Sequence, residues 1–150
     1  MTPDDLAEIN RRAVALLGRI ARGPVEVIRS ALQPTAEDYE AVFLGSAAKQ
    51  AADGYADFWA NPPSALARPV HEEVRVVAMR SEELGDAPEF PGGYRKIAHL
   101  LAPGHVWCAF KFYGAGGTDV LAYNGLVARG DRWAWFPKPW RVLAVGLEAC

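Results

Sequence analysis

Two adjacent prolines, Pro62 and Pro63, separate two kinds of periodicity, and that change constrains the fold more than any other feature of the sequence. Before them apolar residues recur at steps of three and four, the spacing of helices that bury one face. After them apolar and polar residues alternate, the spacing of strands. Thr2-Pro3-Asp4-Asp5 combines an N-cap hydroxyl, a proline at the first helical position and a carboxylate at the helix's positive end, and Leu6, Ile9, Ala13, Leu16, Leu17 and Ile20 then form one stripe. Gly23-Pro24 ends that helix. Residues 25–32 fit both a strand and a short helix, and the helix is the better reading because Val25, Ile28, Ala31 and Leu32 share a face. Thr35-Ala36-Glu37-Asp38 repeats the capping pattern and starts another helix. Gly45-Ser46 interrupts it, and a helical period resumes through Trp59 until the prolines stop it.

The second part reads as an antiparallel meander. His71 to Arg80, His105 to Tyr113, Asp119 to Arg129 and Arg132 to Val145 are four strand-like runs separated by turn-forming residues. Within the long connection before the second run, residues 91–101 allow one or two helical turns. Asn124-Gly125 reads as a bulge, because a turn there would leave two very short strands. Helices first and antiparallel strands afterwards is an α+β arrangement, with N-terminal helices packed on one face of a curved sheet of about four strands. At 150 residues, 51% hydrophobic and 23% charged, the chain has the composition of one ordinary soluble domain spanning 1–150.

This order of elements, with the bulge-like Asn124-Gly125, resembles the NTF2-like superfamily of cone-shaped α+β proteins, which includes SnoaL-like and ketosteroid-isomerase-like members. The resemblance implies pocket enzymes, small-ligand binders or dimerisation modules. It brings no catalytic motif to match, so no family residues are transferred.

Several functions are disfavoured directly. A net charge of −2 gives no overall field for phosphate backbones or anionic lipid, so nucleic acid and membrane are not expected partners. The acidic start lacks the positive charge of a signal peptide, and no run approaches the roughly 20 apolar residues of a membrane span. Two cysteines, Cys108 and Cys150, suit a reducing compartment, which points to the cytoplasm. His71, His99 and His105 have no ligand spacing, so neither metal nor other cofactor is implied. Gly114 to Thr118 lacks the Lys-Ser/Thr step and strand-to-helix context of a phosphate loop and reads as a hairpin turn. No Gly-x-Ser-x-Gly elbow is present. Cys108, inside an apolar strand, reads as an inert small hydrophobe.

What remains is aromatic. Residues 132–143 hold three of the five tryptophans together with Pro137 and Pro139, and the prolines require the strand to bend, bulge or run at an edge. Alternation sets Val106, Cys108, Phe110 and Phe112 on one side, and is read as placing Trp107, Lys111, Tyr113, Leu121, Tyr123, Trp133 and Trp135 on the other. If the first side packs on helices, the second lines a pocket, meets a second subunit or is closed by loops. Tyr94-Arg95-Lys96 offers an aromatic and two cations to an anionic group, although solvated loop cations explain it as well. An acid/base pair drawn from Glu72, Glu73, Tyr94, His99 and Asp119 would require convergence that spacing does not show. The candidate ligand- or partner-binding residues are therefore Trp107, Tyr123, Trp133, Trp135, Tyr94, Arg95, Trp140 and Arg141. They suggest a non-catalytic binding or interaction module for a protein or small molecule, with a homodimer as one form and a bacterial immunity or accessory protein as one concrete version. The competing reading is a small pocket enzyme of the isomerase, lyase or hydrolase kind.

Overall fold

A computed structural model of the chain describes residues 2–143. The order is helical to residue 60 and then sheet: α1 (Pro3–Ile20), α2 (Val25–Leu32), α3 (Ala36–Val42), α4 (Ala47–Gly54), α5 (Ala56–Ala60), β1 (His71–Arg80), α6 (Gly93–Ile97), β2 (Val106–Gly114), β3 (Leu121–Arg129) and β4 (Arg132–Trp135). The sheet is antiparallel in the order β1-β2-β3-β4, which makes the protein α+β as its two periodicities imply. Among the described residues no helix is long and apolar enough to cross a membrane.

Local chemistry accounts for the helix starts. Thr2 and Thr35 each accept from the N–H three residues on, and Asp5 and Asp38 reach back to the N–H of Thr2 and Thr35, so both helices begin in a complete capping box. Residues 25–32 form the helix expected of them. The segment expected to be one helix through Trp59 is two, α4 and α5, meeting at Tyr55. Gly54 lies so close to Val142 that an added Cβ would sit 2.6 Å from the valine Cβ, and Tyr55 turns to donate its hydroxyl to the Pro137 carbonyl at 2.8 Å.

The Asn124-Gly125 bulge is present: Cys108 pairs with Leu126 and Phe110 with Tyr123, so two residues of β3 oppose Ala109 alone. Gly125 has φ +88°, and an added Cβ would lie 2.0 Å from the Phe136 carbonyl oxygen. The register also corrects the face assignment. Leu121, Tyr123, Trp133 and Trp135 lie on the side of Cys108, Phe110 and Phe112, whereas Trp107 opposes Val127 and Ala134 on the other side. Alternation within a strand does not fix its phase relative to its neighbour, and a shift of one residue exchanges the faces. The Phe110 and Tyr123 rings stack at 5.1 Å, and Tyr123 meets Trp135 at 5.8 Å.

The strand expected from Arg132 to Val145 ends at Trp135. Pro137 has no N–H to continue a ladder, Lys138 is left-handed at φ +47°, and residues 139–141 form a 3-10 turn. Thus Trp140 and Val142 do not resume the strand. Ala144, Val145 and Cys150 lie outside the described residues.

Helix α1 covers the Phe110 side of the sheet. Its Asn10 donates to the Val76 carbonyl at 2.7 Å, and Arg12 lies over the Trp133 ring at 5.3 Å. On the other side Trp107 is closed over by Phe43, Tyr94 and Phe136. The last turn of β3 and the start of β4 are tied to α3 by one buried carboxylate: Asp38 accepts from Arg129 Nε at 2.9 Å and from Arg132 at 2.8 and 3.2 Å. Burial acts to raise this carboxyl, but the bonds from Arg132, the Thr35 N–H and Arg129 outweigh it and hold it well below the usual carboxylate range.

Candidate functional site

The eight aromatic and cationic residues singled out in the sequence separate into two groups. Trp107 and Tyr94 are fully buried, and Trp140 packs edge-on to Tyr94 at 5.2 Å. Gly93 makes room for that indole, since an added Cβ would lie 2.2 Å from Trp140 Cδ2. Trp133 is nearly covered by α1 and Arg12. Arg95 is exposed and donates to the Gly85 carbonyl, so Tyr94 and Arg95 point to different places. Tyr123, Trp135 and Arg141 meet in one cleft.

That cleft, of about 730 Å³, opens where β4 leaves the sheet, between the first half of β3 and the helices α4 and α5. Its apolar wall comes from half-buried Phe58, Pro63, Leu121, Tyr123 and Val142, set around Tyr55 and Trp135, which are each only 2% exposed; Phe58 is edge-on to Trp135 at 5.5 Å. Lys138 and Arg141, both exposed, supply its charge. Among the described residues that line it there is no Asp, Glu, His or Cys. The tyrosines are held in place by their hydroxyls: Tyr55 donates to the Pro137 carbonyl and Tyr123 to the Leu66 carbonyl at 2.6 Å. Burial pushes the Tyr55 hydroxyl well above its ordinary value and raises that of Tyr123, an effect Arg68 partly offsets. Neither is a base near neutral pH.

Asn124 is the hub of this corner. Its side-chain oxygen accepts from the Tyr94 hydroxyl at 2.8 Å and from the Lys138 N–H at 3.1 Å, while its carbonyl accepts from the Trp135 indole at 2.8 Å. The bulge therefore joins the buried aromatic group to the cleft and fixes the backbone of Lys138. The sequence marks Asn124-Gly125 as a bulge but does not reveal its side chain as the joint. Lys138, Tyr55 and Phe58 were not among the candidates, and the only signal for Lys138 is its place between two prolines.

Comparison with protein-family models, with curated proteins and with solved structures returned no match.

His71, His105 and Cys108 are committed to the fold. His71 Nδ1 accepts from the Arg68 N–H at 2.9 Å and its Nε2 is bonded to the Asp119 carbonyl, so the ring fastens the start of β1 to the start of β3. His105 bonds the Ala41 carbonyl at 2.9 Å, and His99 is exposed in a 3-10 turn elsewhere. Cys108 is fully buried, and burial pushes its thiol up to about 12, which leaves it protonated at neutral pH. The Gly114 to Thr118 stretch closes the β2–β3 hairpin. A hollow beside Arg80, Glu82, Glu83 and Gly104 is smaller, about 460 Å³, and its charges are already engaged: Arg80 pairs with Glu83, and Glu82 accepts from the Gly104 N–H at 3.0 Å.

Proposed function

We propose that this chain is a non-catalytic binding module whose cleft holds an anionic, largely apolar group. The observation that carries the reading is the composition of the cleft. Its accessible wall is apolar, from Phe58 and Tyr123 together with aliphatic neighbours such as Leu121 and Val142, and two cations stand at it, with no carboxylate among the described lining residues, in a chain whose net charge is −2. Apolar surface with a few placed polar groups is the usual make-up of a ligand site, and about 730 Å³ is within the usual range. Lys138 adds a second line of support. It carries its cation on a left-handed backbone position that glycine or asparagine would occupy at less cost, and such residues concentrate at functional sites. These groups bind and orient. The NTF2-like resemblance enters this proposal only as the order of elements, and an immunity or accessory protein is one form that such a module takes.

Titration with naphthalene-2-acetate, followed by amide and indole NMR shifts, tests the reading. The expected result is saturable shifts at Tyr123, the Trp135 indole, Lys138 and Arg141, binding at least tenfold tighter than that of the uncharged amide of the same compound, and weakening in Lys138→Ala. Equal binding of acid and amide, or shifts elsewhere only, overturns it.

A further inference from the structure

The cleft exists because a strand stops early. β4 pairs with β3 from Arg129↔Arg132 to Leu126↔Trp135, and the same register carried onward would set residues 137–140 beside residues 124–121. Instead Phe136 gives its N–H to the Gly125 carbonyl at 2.8 Å, Pro137 ends the ladder and Lys138 turns the chain away. The place beside the first half of β3 is left to the cleft. Leu121, Ala122, Tyr123 and Asn124 all line it. Side chains of a strand alternate between faces, so four consecutive residues border one space only when the strand presents its backbone edge. Among the described residues, the backbone of Leu121, Ala122 and Tyr123 forms ladder bonds with β2 alone, whereas the carbonyls of Asn124 and Gly125 are taken by Trp135 and Phe136. The open stretch carries none of the charges or prolines that usually blunt an edge strand.

We propose that the occupant of the cleft is an extended acidic segment of a partner protein, added to β3 as a strand in line with β4. This rests on the binding reading above and names its partner. Strand addition draws affinity from main-chain bonds and specificity from alternate side chains. Here those side chains meet the apolar surface of Tyr123, Phe58 and Leu121, and the cations Lys138 and Arg141 select carboxylates. A second copy of this chain fits less well. An isologous pairing brings the same surface together from both partners, and so sets Lys138 and Arg141 against their own copies with no carboxylate among the described cleft residues to meet them.

Selection from a display library of random ten-residue peptides on the folded protein is the test, followed by titration of the enriched sequences. The expected winners alternate apolar residues with Asp or Glu, and bind at least tenfold more weakly to Lys138→Glu and Arg141→Glu. Backbone N-methylation at alternate residues should abolish binding in one phase and spare it in the other, because only one set of N–H groups faces β3. Winners that are basic or without charge preference overturn the proposal, as does binding indifferent to the phase of methylation. A dimer in sedimentation that dissociates in the charge-reversed variants also overturns it, in favour of a second copy. If naphthalene-2-acetate occupies the cleft and no peptide is selected, the strand occupant is wrong while the binding reading stands. If neither binds, both fall.

Discussion

The two halves of β3 have opposite surroundings. Residues 126–129 lie between β2 and β4, with Leu126 and Val127 fully buried and Arg129 held by Asp38. Residues 121–124 have β2 on one side and the cleft on the other, with Ala122 exposed. The bulge at Asn124-Gly125 is the boundary. Aromatic content by itself does not mark function in this protein. Trp107, Tyr94 and Trp135 are all buried, whereas Tyr123 is half-buried, beside the stretch of β3 that β4 leaves unpaired.

The boundary itself should be the most sensitive position. Gly125→Ala adds a Cβ 2.0 Å from a backbone oxygen at a positive φ, and the strain and overpacking together should cost about 4 kcal/mol or prevent folding; urea denaturation reads it. A variant that folds with native stability would mean that the junction is not as described. Within the paired half, Asp38→Asn should cost about 2 kcal/mol, discounted because Arg132 is half exposed. The same carboxylate sets an acid limb. Its folded value lies below its unfolded value near 4, so its stabilisation is complete above about pH 5 and is lost as pH falls from there toward the folded value. Stability measured against pH should therefore fall less steeply on acidification in Asp38→Asn than in the parent.

A matched pair compares the halves more directly. Val127→Ala in the paired half should lose about 2 kcal/mol, and Ala122→Ser in the open half should change stability by less than about 0.5 kcal/mol. Equal losses would break the comparison. Lys138→Gly, which relieves a left-handed backbone, should act in the other direction and be neutral or stabilising by up to about 1 kcal/mol. If the cleft binds anions, the same variant should weaken naphthalene-2-acetate several-fold, separating the cation's role in binding from any role in the fold.

Much of this was legible in the sequence because it is local. The boxes at Thr2 and Thr35, the short helix at 25–32, the limits of β1 and the bulge all follow from residues a few positions apart. The end of β4 was only half legible. Pro137 and Pro139 announced a bend, yet Trp140 and Val142 kept a strand-like alternation; what takes them out of the sheet is room made by Gly93 and Gly54, far away in sequence. The faces of β3 and β4 depend on register between strands, and no strand's own pattern contains it. Three of the eight candidate residues line the cleft. Tyr55, Phe58 and Lys138, which also line it, were hidden because convergence of a helix, an edge and a turn leaves no spacing to read.

Amide hydrogen exchange along β3 of the free protein, resolved by residue, decides whether its first half is an open edge. The expected result is slow exchange throughout residues 126–128 and, across residues 121–123, an alternation in which the N–H that faces the cleft exchanges at least a hundredfold faster than the N–H bonded to β2. Uniform protection from residue 121 to residue 128 would contradict it, because the edge would then already have its partner.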